Sequence, residues 1–406
     1  MTSVPIIARL RARGAKERRK AIFGLRGISV QTIRNILSGA VFTTVLAAPS
    51  LLSQRNFSTT YDSSRQVKLQ GIVTRIDWVN PNAFFFIDTK DAAGTVTNWA
   101  IQIGNPLRLE AGGWKRSALH IGDAVAVMGT PARGTTKQVG AISVVLTGSG
   151  KRLSAPGFNP TERRLGPAPR PTPAPRWPDG QVRLGPATGK KGYWETASTV
   201  LVESSARKIA MTGDGLLLDI ADAGKVAPFQ PWAKALYEYR QRNLLKDDPL
   251  ARCLPPGGPR QFLTSNGFQF IEQRELGRIL VLLGGGDRNW RIIYTDGRPV
   301  GQAAEQVPSY YGSSVGHWNK DTLVVDSVGF NEKFWLAPGG LPHTEALHLI
   351  ERFTRTDLNT LKYEVTIDDP RTYTRTWTGG WTITWVPDQE IQEYFCEDNA
   401  ESTFVR

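Results

Sequence analysis

The run Leu347-His348-Leu349-Ile350-Glu351-Arg352-Phe353-Thr354-Arg355, the turn Asp357-Leu358-Asn359 and the return Leu361-Lys362-Tyr363-Glu364-Val365-Thr366-Ile367-Asp368 decide how the second half of this chain folds. Leu347, Leu349 and Phe353 in one arm and Leu361, Tyr363, Val365 and Ile367 in the other follow a period of two, that of a strand with one face on a core. A break carrying Asp and Asn between two such arms predicts an antiparallel hairpin. The pattern repeats in both directions. Upstream lie Phe268–Gln273, Arg278–Leu283 and Trp290–Thr295, the last ending at Asp296-Gly297. Ser313–Trp318 and Thr322–Val328 follow around Asn319-Lys320-Asp321, and downstream come Tyr373–Trp385, a turn at Pro387-Asp388, and Glu390–Cys396. About nine short strands with short connections predict an antiparallel meander, and closing it removes the exposed edges.

A helix is predicted ahead of these strands, started by Pro231, carried from Trp232 to Leu245 and ended by Asp247-Asp248-Pro249. Cys253 through Arg260 reads as a rigid turn segment. In the first half, Val67–Trp78, Ala83–Asp88, Gly94–Ile103, Ile121–Gly129 and Ala141–Leu146 read as strands, with a short helix around Pro106–Glu110 between the third and fourth. That order suits a small barrel of the oligonucleotide/oligosaccharide-binding (OB) type. The expected fold class is mainly β. A five-stranded OB-like barrel comes first, then an antiparallel meander barrel, lipocalin-like, with a helical segment at its start; a β-sandwich is second choice for the latter. The expected organisation is a basic lead with a signal peptide or membrane anchor (1–53), the first barrel (62–150), a Pro-rich basic linker (151–192), and the helical segment with the second barrel (193–406).

The net charge of +13 over 406 residues invites a nucleic-acid reading. Its location opposes one. Residues 1–35 carry a net of +8 and residues 151–192 a net of +7, which leaves the rest of the chain at −2. A phosphate-backbone binder needs its positive charge on a folded face, so no nucleic-acid partner is expected. Residues 36–53 form a long uncharged apolar run behind the basic lead, the layout of a secretory signal, with Val45-Leu46-Ala47 where a peptidase reads. Left uncleaved, the same run would attach the chain to a membrane. The expected location is periplasmic or secreted. Cys253 and Cys396 then suggest a disulfide, the alternative being two separate buried thiols. Gly166 through Arg176, with alternating prolines, predicts an extended spacer.

Gly71, Trp78-Val79-Asn80-Pro81, Trp99 and Gly122-Asp123 mark where residues 66–150 resemble a family of small exported bacterial domains of unknown function, similar to bacterial OB-fold proteins. The chain departs from that pattern at Asn82, where the family carries His. The second half is similar to the C-terminal region of large exported proteobacterial proteins that lack an assigned activity. Ala221–Trp232, Cys253–Arg260, Tyr294–Pro299, Asp326–Asn331, Pro342–His348 and Thr366–Pro370 carry that likeness. It implies an uncharacterised lipocalin-like family without implying a reaction.

Chemistry-bearing residues gather in one segment: His343, Glu345, His348 and Glu351. A His with a carboxylate can move protons, so these four are the candidate catalytic residues. On a strand His343 and Glu345 face one way and His348 the other, so only a loop would gather them. No Cys-x-x-Cys or Cys/His cluster points to a metal, and no cofactor is expected. Gly284-Gly285-Gly286 lacks what a phosphate loop needs, and Asp368-Asp369-Pro370 reads as turn chemistry. Phe84-Phe85-Phe86 could be a stacking platform but reads better as a strand covered on both faces. The aromatic supply of the second half suits a pocket; Trp290, Tyr294, His317, Trp335, Trp377 and Trp381 are the candidate ligand-binding residues, with Phe330–Trp335 as lid or rim. The leading expectation is a periplasmic protein holding a small apolar or aromatic molecule in its second barrel. The alternatives are a cofactor-free lyase, isomerase or hydrolase on that barrel, and an envelope interaction protein.

Overall fold

Strand β1 (Val67–Asp77) is long enough to serve two neighbours in a computed structural model of the chain. Its first half pairs with β4 (Ala124–Pro131) and its second half, from Ile72 on and across a bulge between Val73 and Arg75, with β2 (Ala83–Lys90). With β3 (Val96–Gly104), β5 (Gln138–Leu146) and β6 (Arg152–Ser154) the order is β3-β2-β1-β4-β5-β6, and parallel pairing of β3 with β5 closes a five-strand barrel. Helix α1 (Pro106–Ala111) lies between the third and fourth strands, as the sequence predicts. Gly71 sits where a Cβ would come 2.4 Å from the Asp88 carbonyl oxygen, so only glycine permits that approach of β1 to β2. Phe85 and Ile87 fill the interior with Ile101, Val125, Val127 and Val139. Phe84 and Phe86, on the opposite face, are buried as well and pack with Ala100, so both faces of β2 are covered.

The structure describes residues 60–79, 82–111, 113–154, 171–196, 200–206, 209–264, 266–286, 290–301 and 307–396. The expected signal or anchor (1–53) and the middle of the Pro-rich stretch (155–170) lie outside them. No described helix is long and apolar enough to cross a membrane.

The second barrel has nine strands. These are β7 (Gly192–Glu195), β8 (Phe268–Gln273), β9 (Arg278–Leu283), β10 (Trp290–Tyr294), β11 (Ser313–Asn319), β12 (Thr322–Val328), β13 (His348–Asp357), β14 (Thr360–Asp368) and β15 (Trp377–Pro387). They close in the order β10-β11-β12-β13-β14-β15-β7-β8-β9. Two details depart from the sequence reading. Glu390–Cys396 is not a strand; β7 takes the place beside β15, and Cys396 is instead bonded to Cys253, across 143 residues of sequence. The meander is also broken once, because β10 runs parallel to β11. Helices α2 (Ala223–Val226) and α3 (Pro231–Arg242) precede the strands from β8 on. Gln241 of α3 is buried and accepts from the Leu217 N–H while donating to the Gly215 and Gly339 carbonyls, which ties the helix to two loops.

Both ends of this barrel are covered. At the end where Arg355 lies, residues 171–191 fold against the wall: Arg355 donates to the carbonyls of Arg183, Gly185 and Leu358, and Glu272 accepts the N–H groups of Leu184 and Gly185. Its guanidinium lies 4.8 Å from the rings of both Trp194 and Trp385. At the other end the connection between β12 and β13 buries Phe330, Phe334, Trp335, Leu336 and Leu341.

Candidate functional site

Alternation along the strands sorts the candidates between the inside and outside of the second barrel. On β13, Leu349, Glu351, Phe353 and Arg355 point inward, and His348 points out. On β14, Leu361, Tyr363, Val365 and Ile367 point inward; on β15, Trp377, Gly379, Trp381, Ile383 and Trp385 do. Phe262, carried by a short 3-10 segment (Gly258–Leu263), joins them. Its ring centroid lies 4.8 Å from Phe268 and 5.2 Å from both Phe353 and Tyr363. Side chains therefore fill this layer, as a barrel of this strand number permits.

Within that apolar filling sits a polar cluster. Glu351 is fully buried and accepts both guanidinium arms of Arg291, at 3.1 Å for Nη1 and at close contact for Nη2. Tyr363 Oη donates to the same carboxylate at 2.8 Å. Arg291 Nε donates to Ser314 Oγ at 2.9 Å and Nη2 to Ser327 Oγ at 2.7 Å, and the two serines bond each other at 3.0 Å. Burial, and secondarily the Glu351 charge, push the Tyr363 phenol well above its ordinary value, so it remains a donor. The ion pair is thus satisfied by its own neighbours. A saturated buried network of this kind fixes a core more readily than it does chemistry.

The four candidate catalytic residues are not brought together. His343 is buried in the connection before β13, its ring on Phe334 (centroids 4.1 Å apart), with Nε2 3.1 Å from the Phe334 carbonyl oxygen and Nδ1 3.2 Å from that of Thr344. Burial lowers its pKa against the weaker pull of those carbonyls, of Asp369 and of Glu332. Glu345 is exposed. His348 lies on the outer wall, its Nε2 2.9 Å from Asp326 Oδ1. Glu351 is held inside by Arg291. Among the described residues no group of three or more His, Cys, Asp or Glu side chains could hold a metal ion. Asp369 is a loop anchor: it accepts from Thr344 N and Oγ1, and from Thr372 N and Oγ1.

The aromatic candidates also divide. Trp290 stands 60% exposed on the outer wall, and Tyr294 lies half-buried there under the Arg298 guanidinium, 3.7 Å from its ring centroid. His317 is exposed on the same outer side of β11. Trp335 is buried in the connection that covers one end, with Arg240 4.7 Å and Arg260 5.7 Å from its ring. Trp377 points inward against Tyr373, centroids 5.3 Å apart.

Trp381 differs from the rest. It points inward, its ring 4.5 Å from that of Tyr363, yet it is only partly buried. Its indole N–H is buried and has no hydrogen-bond partner, a property it shares with the fully buried Trp377. β15 pairs with β7 from Thr384 to Pro387, and on the same flank Ser204 N donates to the Thr378 carbonyl at 2.7 Å. Residues 197–199, which follow β7 in sequence, lie outside the described residues. Leu201 fills the space over Gly379, where a Cβ would lie 2.3 Å from Leu201 Cδ1. Trp381 packs on Tyr363, whose hydroxyl in turn bonds Glu351. The sequence signals missed were Arg291, Ser314 and Ser327, each a polar residue at a buried, inward position of its strand.

Residues 45–140 match a family of unknown function, DUF6152. The match takes in the first barrel up to the start of β5 and is well under half of the chain. No curated protein and no solved structure matches the chain. The Cys253–Cys396 disulfide fits an oxidising, extracytoplasmic compartment.

Proposed function

We propose that this is an extracytoplasmic small-molecule-binding protein whose ligand seats against Trp381 in the flank of the second barrel. One observation carries the reading: an inward-facing tryptophan, partly open to solvent, holds a buried N–H with nothing to donate to. Trp114 and Trp377 also hold buried N–H groups without a partner, but both residues are fully buried, whereas Trp381 is partly open to solvent and so can meet one. The chemistry that fits is a flat apolar or aromatic molecule with one acceptor atom for the indole N–H and a face for the rings of Trp381 and Tyr363. The aromatic packing around Phe262 fills the layer next to Tyr363, which favours a small ligand held near Trp381. A catalytic reading has less support, because the four residues it needs are separated and the buried Glu351 is already paired.

Native mass spectrometry of protein purified from its own periplasm tests this directly. The expected result is a retained small mass in the wild type and in the surface control Trp232→Phe, lost in Trp381→Ala. A chain that retains no mass and shows no fluorescence quenching with indoles or aromatic carboxylates at millimolar concentration would overturn the proposal.

A further inference from the structure

Positive charge exceeds negative where α3 meets the connection between β12 and β13. We propose that Arg240 of α3 forms a second binding site, which takes the carboxylate group of a small molecule on the outward edge of its guanidinium. Two guanidiniums lie on the ring of Trp335 there, that of Arg240 at 4.7 Å and that of Arg260 at 5.7 Å. The buried carboxylate beside them serves only one. Asp248 accepts both arms of Arg260, at 2.7 Å and 2.6 Å, in a pair that is almost wholly buried. Arg240 makes no ion pair among the described residues. Its one hydrogen bond runs from Nη1 to the Gly340 carbonyl, at 2.8 Å.

An ordinary surface arginine keeps a mobile head in water. Arg240 is half-buried and held. Its stem lies against Gly340, which has a φ of 91° and where an added Cβ would come 3.0 Å from Arg240 Cδ and 3.1 Å from its Cβ. The neighbouring Gln241 donates to the carbonyls of Gly215 and Gly339, which fixes α3 to the same loop. With its stem packed, Trp335 beside it and Nη1 tied, the guanidinium has a set direction. Nε and Nη2 remain. They are not buried, and they have no protein partner among the described residues. Those two N–H groups lie along one edge of the planar group, the fork that donates to both oxygens of a carboxylate at once.

The electrostatics favour an acid at that edge. Burial holds the Arg240 pKa down to about 10 against the attraction of Asp248 and Asp247, and the Arg260 charge lowers it further. The side chain is still a cation at neutral pH, in a place that hydrates it poorly. A carboxylate on the fork supplies the missing charge without first having to order the side chain, a cost that a free arginine imposes. One fork offers two donors, which matches a carboxylate; a phosphate presents more oxygens and would leave the rest to water. The fork stands on α3 and Trp381 on β15, so either proposal can fail alone.

The probe is propionate, which is neither flat nor aromatic and so does not report on Trp381. Propionamide is its uncharged control, and chloride holds the ionic strength constant. In nitrogen-edited spectra of the full chain near neutral pH, the Arg240 Nε–H is identified by its absence from Arg240→Lys. It should move downfield and saturate at low millimolar propionate, and propionamide should leave it in place. Broadening of the propionate carboxyl signal reads the variants. Arg240→Lys and Arg240→Gln, each with an unaltered circular dichroism spectrum, should weaken half-saturation at least tenfold, and Arg242→Gln on the same helix should stay within twofold of wild type. An Nε–H unmoved up to decimolar propionate overturns the inference. So does Arg240→Lys binding as the wild type does, or inorganic phosphate binding more tightly than propionate.

Discussion

Removing one partner of the buried ion pair tests how the second barrel is held together. In Arg291→Met, Glu351 keeps only the Tyr363 hydroxyl, at 2.8 Å, in a site from which water is excluded. Ser314 and Ser327 keep each other, so the loss falls mainly on the carboxylate. Stranding a buried charge in this way costs about 3–5 kcal/mol, and for a domain of this size each kcal/mol shifts Tm by roughly 2–4 °C. The expected drop is on the order of 10 °C. The informative variant is the combination Arg291→Met, Glu351→Leu, Tyr363→Phe, which removes the charges and the hydroxyl together. A buried pair replaced by apolar groups of similar volume is often neutral or stabilising, so this triple variant should recover most of the loss. Urea unfolding followed by far-ultraviolet circular dichroism reads both, with a double-mutant cycle for Arg291 and Glu351 expected to show at least ~2 kcal/mol of coupling. A single-variant loss below about 1 kcal/mol, or strict additivity of the two, would refute the account of a water-free, mutually satisfied pair.

Two further outcomes follow from the same geometry. Replacing both Cys253 and Cys396 by Ser opens a link across 143 residues and should cost roughly 4–5 kcal/mol in urea unfolding, with dithiothreitol destabilising the wild type but not the variant. Burial holds the His343 imidazole below its ordinary value, so the fold prefers it neutral; the unfolded chain takes up the proton first as pH falls through about 6.5, and stability is lost between there and the lower folded value. His343→Gln should flatten that part of the stability–pH curve, and a slope identical to wild type between about pH 7 and 5 would count against the buried neutral ring.

Much of the architecture was legible because one face of each strand is buried and the other is not. Leu349, Phe353, Leu361 and Val365 gave both the period and the face, and Pro231 gave the start of α3. Three features were not legible for physical reasons. The four-residue β7 has too few positions to show a period, so its place beside β15 was assigned to Glu390–Cys396. The parallel step from β10 to β11 depends on where the connection before β11 packs, which is a long-range matter. The buried cluster was half visible: Glu351 stood out as a candidate, but Arg291 was passed over, although both share the parity of apolar neighbours. A charge at an apolar parity on two strands is the signal that would have paired them.

Parity also explains why the candidate residues separated and where recognition is placed instead. His348 and Glu351 are three apart on one strand, so they must face opposite sides, and no loop rearrangement short of a register slip can bring them together. A barrel with covered ends and a filled layer at Phe262 leaves its wall as the place for recognition. Trp381 of β15 has inward parity, so a partly exposed ring and an unused N–H are presented together from the inner side of the wall, which suits a small flat molecule. Trp290 of β10 has outward parity and presents only an exposed ring on the outer face. One residue of register at either strand would exchange those roles, because side chains alternate between the two faces.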